Sequence, residues 1–521
     1  MNEAPPKTLT VRPIQGQWDF DSAQDIPEGA SPDMQNFRVI QGALVKRAGY
    51  AQFPAGAAAL DGPVTGIYSL LDSAGNLRLF ATTRASVYQW SSGGGVWNKQ
   101  TGPALTGGTY DRFSFEVSQN CLVFSQGIDN IMSLPLAGST YAALSAGSFP
   151  SFYLARFADR LYASLTVEGG ALKPFRTRWP VNSDHTDWGG IGSGFRDNTE
   201  QPYFIKGMRS LLQQLVVYTE RSAIVATRTG ILPPAQFDIV VTDIGLYGSY
   251  TLQGRNNTHI FLGNDDVYEF NGSQAVSVAT PIRELLFRTL DGPNAKNNWA
   301  VILHDTPEYM MFLYTTAGTA PDTVWVYNHL RNIWYKWITP PLMLAGTMHR
   351  VETNSTIDSL VGTIDQQNWQ FDTRGLSANT PVLITGGLDG KVYIWSQLSS
   401  NDNGTPIVAY WTSRDYRGVD YGPEWVLHKV TIRGVGVTYM ETGSPITLQL
   451  YYSVDGGVWQ GPYTSTMGGD GLVGQISDMV FWQQVTGNRI AFRIQDAGLD
   501  QSPRLLSFHP IIEPSAELVS P

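Results

Sequence analysis

The chain has 521 residues, a net charge of −10 at pH 7 and only 15% charged residues. Two or three domains are expected at this length, and the 42% of hydrophobic residues exclude a disordered chain. The acidic balance, with no cluster of Lys and Arg, argues against binding of nucleic acid by neutralising its phosphates. Cys121 is the only cysteine, which excludes an intrachain disulfide and a cysteine-based metal site.

The remaining composition predicts an all-β fold. Glycine (53) and proline (30) are abundant, and aromatic residues make up 12% of the chain, whereas Lys-rich and Glu-rich helical stretches are missing. Such a balance is typical of short strands joined by tight turns. No apolar run reaches the roughly 18 residues of a membrane span, and the first residues carry no export signal. We therefore expect a soluble product that is made in the cytoplasm and has no membrane span.

Residues 1–60 are predicted to form an N-terminal arm. The arm is Pro-rich at first and then contains a hairpin over residues 37–46, with its turn at Gln41 and Gly42. We expect this hairpin to pack on the domain that follows and regard it as a candidate to close a sheet there, because an open sheet edge invites association.

Residues 61–398 are predicted to form a β-propeller. The repeated unit is an aromatic-rich strand with period-two alternation, a turn of Gly, Asp or Asn, and another strand. Successive strand centres lie roughly 43 to 68 residues apart, close to the 40–50 residues of a propeller blade. About seven blades follow from this count, although a set of unrelated β-sandwiches is an alternative. The centres are Tyr88, Ile131, Thr177, Ile224, Tyr268, Trp325 and Tyr393.

One segment within the propeller is predicted to be helical. Thr280 is placed to cap the helix and Pro281 to occupy its first position, and apolar residues follow at Ile282, Leu286 and Leu290. We expect this short amphipathic helix to cover a sheet edge or to pack on a blade.

Polar residues 399–404 predict a boundary, and residues 405–521 predict a C-terminal β-sandwich. The strands beyond the boundary are longer than those of the blades, as in residues 429–437, 446–454 and 489–495. This change in strand length predicts that the last domain is separate from the propeller.

The N-terminal arm resembles the opening of tail proteins of tailed bacteriophages. Residues 26–37 contain a Gly-Ala-Ser-Pro-x-Met-x-Asn turn, and the hairpin after it ends in Arg47, Gly49 and Tyr50, similar to the family's Arg-x-Gly-Tyr exit. Ala48 and Pro180 depart from the family pattern, which has Pro and Ser at these turn positions. Further short stretches are similar over nearly the whole chain: residues 157–162, 178–180, 186–188, 260–263, 267–270 and 451–459.

The closest functional type is the tail hub or nozzle of short-tailed bacteriophages. The resemblance implies a non-enzymatic virion protein, assembled in the bacterial cytoplasm into a ring of six copies below the head–tail connector. Its implied partners are other copies of itself, adaptor or portal-side proteins, and tail fibres or spikes. Duplex DNA would pass through the ring during ejection without sequence-specific binding. A carbohydrate-directed propeller, either a lectin or a sialidase-like glycosidase, is the alternative.

No catalytic, cofactor-binding or metal-binding residue is predicted. The seven histidines show neither the i, i+4 pair of a helical metal site nor a His-x-His strand pair. Residues 190–194 are glycine-rich but lack a phosphate-binding Lys, and so predict an ordinary loop. The histidines are His185, His259, His304, His329, His349, His428 and His509.

The most suggestive motif for an enzyme lies in residues 453–459. It is close to the Asp box of sialidase propellers, but one residue is missing before Trp459, and we expect Ser453 and Asp455 to serve only the turn. Most tryptophans alternate with polar residues in strands, which predicts burial more readily than a sugar-binding platform. The Asn-x-Ser/Thr triplets are expected by chance in such a turn-rich chain; they begin at Asn256, Asn271, Asn354 and Asn403.

Overall fold

The N-terminal region contributes five short strands to sheets that are otherwise built from distant parts of the chain. The computed structural model describes residues 5–91, 94–108, 111–230, 232–255, 257–303, 306–315, 318–350, 381–396, 399–442, 444–468 and 473–518. The first strands are β1 (Lys7–Thr8), β2 (Met34–Gln35), β3 (Phe37–Ile40), β4 (Ala43–Lys46) and β5 (Gly49–Gln52).

The first four blades are antiparallel sheets of four consecutive strands. Blade one has β6 (Val64–Leu71), β7 (Leu77–Thr83), β8 (Val87–Ser91) and β9 (Val96–Lys99). Blade two has β10 (Ser114–Ser118), β11 (Cys121–Ser125), β12 (Met132–Pro135) and β13 (Ala142–Ala143). Blade three has β14 (Ser151–Phe157), β15 (Arg160–Glu168), β16 (Ala171–Trp179) and β17 (Gly194–Asp197). Blade four has β18 (Ile205–Leu211), β19 (Gln214–Thr219), β20 (Ser222–Arg228) and β21 (Ala235–Thr242).

Blades five and six repeat the pattern, and the seventh is composite. Blade five has β22 (Gln253–Arg255), β23 (Thr258–Leu262), β24 (Val267–Phe270) and β25 (Ala275–Ser277), followed by helix α1 (Arg283–Thr289). Blade six has β26 (Trp299–Ile302), β27 (Glu308–Leu313), β28 (Thr323–Asn328) and β29 (Ile333–Ile338). Blade seven joins β30 (Met343–Arg350), β31 (Pro381–Gly387) and β32 (Val392–Ser396) to β5 as its fourth strand.

These seven sheets form a closed β-propeller, as the sequence predicts. The innermost strands contact one another in chain order, and β30 contacts β6 to complete the circle. Apolar side chains fill the spaces between adjacent blades, because each sheet presents both of its faces to a neighbour. Six of the seven predicted centres lie in the third strand of a blade, and Ile131 immediately precedes one. The predicted fold class is therefore confirmed.

The last region is a two-sheet β-sandwich. Its strands are β35 (Ala409–Thr412), β36 (His428–Met440), β37 (Ile446–Val454), β38 (Gln460–Met467), β39 (Ile476–Phe481), β40 (Val485–Gly487), β41 (Ile490–Asp496) and β42 (Arg504–Leu518). One sheet runs β3-β4-β42-β36-β39, with β1 beside β42 and β40 beside β36, and the other runs β2-β35-β41-β37-β38. A continuous core joins the sandwich to blades six and seven.

The strands of the N-terminal arm pair with both domains, whereas the prediction places the arm on the propeller. Strands β1 to β4 belong to the sandwich, and the hairpin contacts blade six of the propeller. Strand β5, which follows the hairpin, closes blade seven: Tyr50 lies opposite Trp395, and Gln52 opposite Tyr393. The prediction places residues 1–60 on the propeller, and the structure adds their pairing with the sandwich. The sequence does not indicate that pairing, because partners hundreds of residues away leave no local signal.

The predicted boundary at residues 399–404 contains paired strands: β33 (Asn401–Asp402) pairs with β5 and with β34 (Thr405–Pro406). One prediction about the helix needs correction. Thr280 does not cap the helix: it begins a 3-10 turn (Thr280–Ile282) before α1, and neither segment has a side-chain cap. The helix does pack on blades five and six as expected, burying Ile282 and Leu286. Other 3-10 turns are Ala295–Asn297, Gly418–Asp420 and Pro423–Trp425.

Candidate functional sites

The residues of the N-terminal motif meet where the propeller joins the sandwich, a region called the junction below. Asn36 has a left-handed backbone (φ 57°), and its side-chain oxygen accepts hydrogen bonds from Arg47 Nε (3.0 Å) and from the Ile338 backbone (2.9 Å). Its amide group donates to the carbonyl oxygen of Val408 at 2.8 Å. One asparagine therefore connects the arm to blade six and to the start of the sandwich.

Arg47 is the centre of the junction. Its side chain is buried, and its two terminal nitrogens bind the Asp402 carboxylate at 2.8 and 2.5 Å. The same nitrogens donate to the carbonyl oxygens of Ala48 and Ile338, each at 3.0 Å. The guanidinium lies 5.8 Å from the ring centre of Trp395. A buried arginine that is paired and bonded in this way has its charge compensated.

Asp33, at a variable position of the motif, and Gly49, a motif residue, extend the junction. The carboxylate of Asp33 forms ion pairs with Lys336 of blade six (2.9 Å) and Arg493 of the sandwich (3.0 Å). At Gly49 an added Cβ would lie 1.9 Å from the carbonyl oxygen of Asn401, so the close approach of the two backbones admits only glycine. The resemblance motif thus coincides with the contacts that hold the two domains together.

Two more buried ion pairs lie beside the junction. Arg38 on the hairpin reaches Glu308 of blade six at 3.4 Å. Lys46 and Asp496 are fully buried and lie 2.9 Å apart. Burial lowers the pKa of Lys46 and raises the pKa of Asp496, while their mutual attraction opposes both shifts.

A second site is the central channel of the propeller. It encloses a cavity of about 510 Å³, lined by residues from the innermost strands of all seven blades. Arg112 is 5% exposed, and its Nη2 donates to the carbonyl oxygen of Asn297 at 2.6 Å. Its Nε has no hydrogen-bond partner, and the Tyr250 ring lies 5.8 Å from the guanidinium carbon.

Arg209 and Glu116 are the other charged residues of the cavity lining. Arg209 has one weak hydrogen bond, from Nη1 to the carbonyl oxygen of Leu252 at 3.4 Å. Glu116 accepts backbone N–H groups from Val117 and Arg156, each at 3.0 Å. Burial raises the pKa of Glu116 and is only partly offset by these two hydrogen bonds.

Aromatic side chains form much of the channel wall. The hydroxyl of Tyr153 donates to Ser249 Oγ at 2.9 Å, and burial raises its pKa to about 12. Tyr250 donates its hydroxyl to the carbonyl oxygen of Arg112 at 3.2 Å, and Trp299 stacks on Phe312 with ring centres 3.9 Å apart. Glu116 is the only carboxylate among the lining residues, whereas a glycosidase uses a pair.

A second cavity, of about 480 Å³, lies at one end of blades four to six. Lys206 and Glu220 of its lining form an ion pair at 3.1 Å, and Arg221 and Lys296 add two further positive charges.

The sandwich carries an exposed apolar row on its edge strand β39. Ile476 is 66% exposed, Val480 36% and Trp482, just past the strand, 73%. Alternate residues of a strand share one face, so these side chains point the same way. Within the described residues β39 pairs on one side only, with β36.

The Asp-box-like segment is a turn between β37 and β38. Ser453 Oγ donates to the carbonyl oxygen of Gly457 at 2.8 Å, and Asp455 accepts the backbone N–H of Arg489 at 2.9 Å. Trp459 lies under the Arg493 guanidinium at 4.4 Å. These contacts tie the turn to β41, in agreement with the structural interpretation of the motif.

The glycine-rich loop at residues 190–194 has an acidic side chain at its start. Asp187 already accepts the N–H groups of Gly189 (3.0 Å) and Gly190 (2.8 Å). At these two N–H groups the Asp187 carboxylate takes the place that the anion has in a phosphate-binding loop.

The described histidines are dispersed, and no metal-binding group of His, Cys, Asp and Glu occurs among the described residues. His259 bonds to the Tyr218 hydroxyl (3.0 Å) and to the Ser210 carbonyl (3.1 Å), and His349 bonds to Ser69 Oγ at 2.8 Å. His304, Asn256 and Asn354 lie outside the described residues. In the part of the chain that is described, no helix has the length and apolar character needed to cross a membrane.

Comparison with known proteins yields fold-level similarity only. No protein-family model and no curated protein matches the chain. The WD40 domain of Pan2 from Neurospora crassa is 9% identical, covers 68% of this chain and 95% of its own, and gives a TM-score of 0.37. The designed protein Ika8 is 13% identical, covers 70% of this chain and 96% of its own, and gives a TM-score of 0.35.

Sequence reasoning found the junction motif but missed the channel arginines. Arg112 lies in a connecting segment before β10, and Arg209 is one polar residue in an ordinary alternating strand. Neither position stands out, because only closure of the propeller brings the two side chains into one cavity.

Proposed function

We propose that the chain is a structural subunit of a bacteriophage tail, forming a ring-shaped nozzle or hub below the head–tail connector. It would hold neighbouring tail proteins and conduct DNA during ejection, by assembly and not by catalysis. The observation that carries the proposal is the position of the resemblance motif. Asn36, Arg47 and Gly49 of the motif make contacts that join the propeller to the sandwich.

A rigid junction suits a subunit of a tail conduit. Such a subunit bears load from its neighbours, so its two domains must keep a fixed geometry. The continuous apolar core and the buried Arg47–Asp402 pair both oppose motion between the domains. The buried pair also favours one arrangement, because displacing either partner leaves an uncompensated charge.

The apolar row on β39 is our candidate for the contact between copies. A one-sided edge strand exposes backbone hydrogen-bonding groups, and large exposed apolar side chains mark association surfaces. Ile476, Val480 and Trp482 would be covered by the adjacent subunit in the ring. Asp478, exposed between them, would limit uncontrolled edge-to-edge pairing.

The DNA would pass along the axis of the ring and not through the propeller of each subunit. The propeller cavity of about 510 Å³ has the size of a small-molecule site. Six copies at −10 each make an acidic particle, but at a Debye length of about 8 Å only charges lining the bore act on DNA. We expect that lining to be poor in Lys and Arg, since phosphate contacts would retain the genome.

Electron microscopy and mass photometry of the purified full-length protein test the proposal. The wild type is expected to form closed rings, and Trp482→Glu should yield folded monomers. Val458→Glu is the matched control, because Val458 is 89% exposed in the same domain but lies in the turn before β38. A strictly monomeric wild type, or a bore dominated by Lys and Arg, would contradict the proposal. Glycan binding or turnover by that monomer would favour the carbohydrate-directed alternative.

A further inference from the structure

The channel contains a buried positive charge without a counter-ion. Arg112 is 5% exposed, and no carboxylate within the described residues lies at ion-pair distance from its guanidinium. Its polar neighbours are neutral: the Asn297 carbonyl oxygen and the Tyr314 hydroxyl accept hydrogen bonds from it, and the Tyr250 ring lies 5.8 Å away. Burying a cation without a compensating anion is costly, so such a group favours an anion from solution.

Arg209 adds a second unpaired cation to the same cavity. Its only hydrogen bond among the described residues is the 3.4 Å contact with the Leu252 carbonyl, which leaves most of its donors free. An added Cβ at Gly254 would lie 3.0 Å from Arg209 Nε, so the glycine leaves room for the guanidinium beside β22. Guanidinium groups bind carboxylates and phosphates through paired, charge-assisted hydrogen bonds.

Glu116 does not cancel these charges. Its carboxylate attracts Arg209 but forms no ion pair with it, and its two oxygens each accept a backbone N–H group, from Val117 and from Arg156. Even when Glu116 is ionised, two cations face one anion. When it is protonated, the excess of positive charge is larger.

We infer that the propeller channel is a binding site for a small anion that carries a carboxylate or phosphate group, held by Arg209 and Arg112. The cavity of about 510 Å³ lies within the range of roughly 300–1,000 Å³ that small-molecule sites occupy. Tyr68, Tyr153 and Trp299 would pack against the rest of the ligand. This site is separate from the proposed ring contact and from the path of DNA.

Calorimetric titration of the full-length protein with inorganic phosphate and, separately, with succinate tests the inference. Succinamide, the uncharged diamide of succinate, is the control ligand. Binding of one or both anions is expected, and the difference between them identifies the preferred group. Arg209→Gln should weaken binding by about tenfold or more, because it removes a charge-assisted interaction.

Two further variants complete the experiment. Arg209→Glu should abolish binding by reversing the charge, whereas Arg84→Gln should leave it unchanged, because Arg84 is exposed in the turn between β7 and β8. Thermal unfolding of each variant verifies that it is folded. The inference is overturned if neither anion binds the wild type, if succinamide binds as tightly, or if Arg209→Gln retains full affinity.

Discussion

The junction and the channel both contain a buried arginine, but among the described residues only the arginine of the junction has an anionic partner. At the junction Arg47 has a carboxylate, an amide oxygen and two carbonyl oxygens around it. In the channel Arg112 has two neutral partners, the Asn297 carbonyl oxygen and the Tyr314 hydroxyl, and its Nε is unpartnered among the described residues. A compensated charge fixes the arrangement of domains, whereas an uncompensated one beside a cavity is available to a ligand. Pairing thus separates the structural arginines from the candidate binding residues.

The largest effects are expected for tryptophans in the core. Replacing Trp325, Trp334 or Trp395 by alanine should lower the free energy of unfolding by about 3–5 kcal/mol, because each leaves a large cavity. Their exposed fractions are 1%, 0% and 5%. Trp395→Ala should be the most damaging, since it also uncovers the Arg47–Asp402 pair. Chemical denaturation checks this; unchanged stability with lost glycan binding would contradict the structural role.

Breaking the charge pair at the junction should have a comparable effect. Arg47→Met leaves Asp402 buried without a partner and should cost about 3–5 kcal/mol in the free energy of unfolding. The double variant Arg47→Met/Asp402→Leu should recover much of this loss, because neither charge remains. Urea denaturation of the three variants measures the coupling. If the double variant were as unstable as the single one, hydrogen bonds to the carbonyl groups would matter more than charge.

Two buried histidines are titratable groups that have no anionic side-chain partner among the described residues. Burial lowers the pKa of both His259 and His349 to about 4, and neither has a carboxylate as a side-chain partner. Their stabilising contribution is present above the unfolded pKa of about 6.5 and is lost as the pH falls towards 4. At about 1.4 kcal/mol per pKa unit, acidification should cost a few kcal/mol in total.

Urea midpoints at pH 7 and pH 4.5 measure this loss. The variant His259→Asn/His349→Asn should show a smaller difference between the two pH values than the wild type. His428→Gln is the control, because His428 is half-buried in the sandwich and bonds to the Ser515 carbonyl. An equal pH dependence in the double variant would show that other groups control acid unfolding.

The smallest effect is expected for the unpaired cation in the channel. In anion-free buffer Arg209→Gln should change the free energy of unfolding by no more than about 0.5 kcal/mol, since no ion pair is broken. Saturating anion should then stabilise the wild type but not this variant. A large loss of stability without anion would mean that Arg209 has a structural role like that of Arg47.

The repeating part of the fold can be predicted from the amino-acid sequence. Short strands with period-two alternation, separated by Asp, Asn and Gly turns at a nearly constant interval, predict propeller blades because these signals are local. The burial of Trp325 and Trp334 follows from the same alternation. The longer strands after residue 405 likewise predict a separate sandwich.

The combination of distant segments becomes known from the folded chain and not from local sequence patterns. Strand β5 completes blade seven with β32, although hundreds of residues separate them, and β1 to β4 complete the sandwich. The pairing of Arg47 with Asp402 and the isolation of Arg112 depend on the same long-range closure. Local sequence patterns do not indicate which strand edges pair. A buried charge and its partner can therefore be identified only from the folded structure.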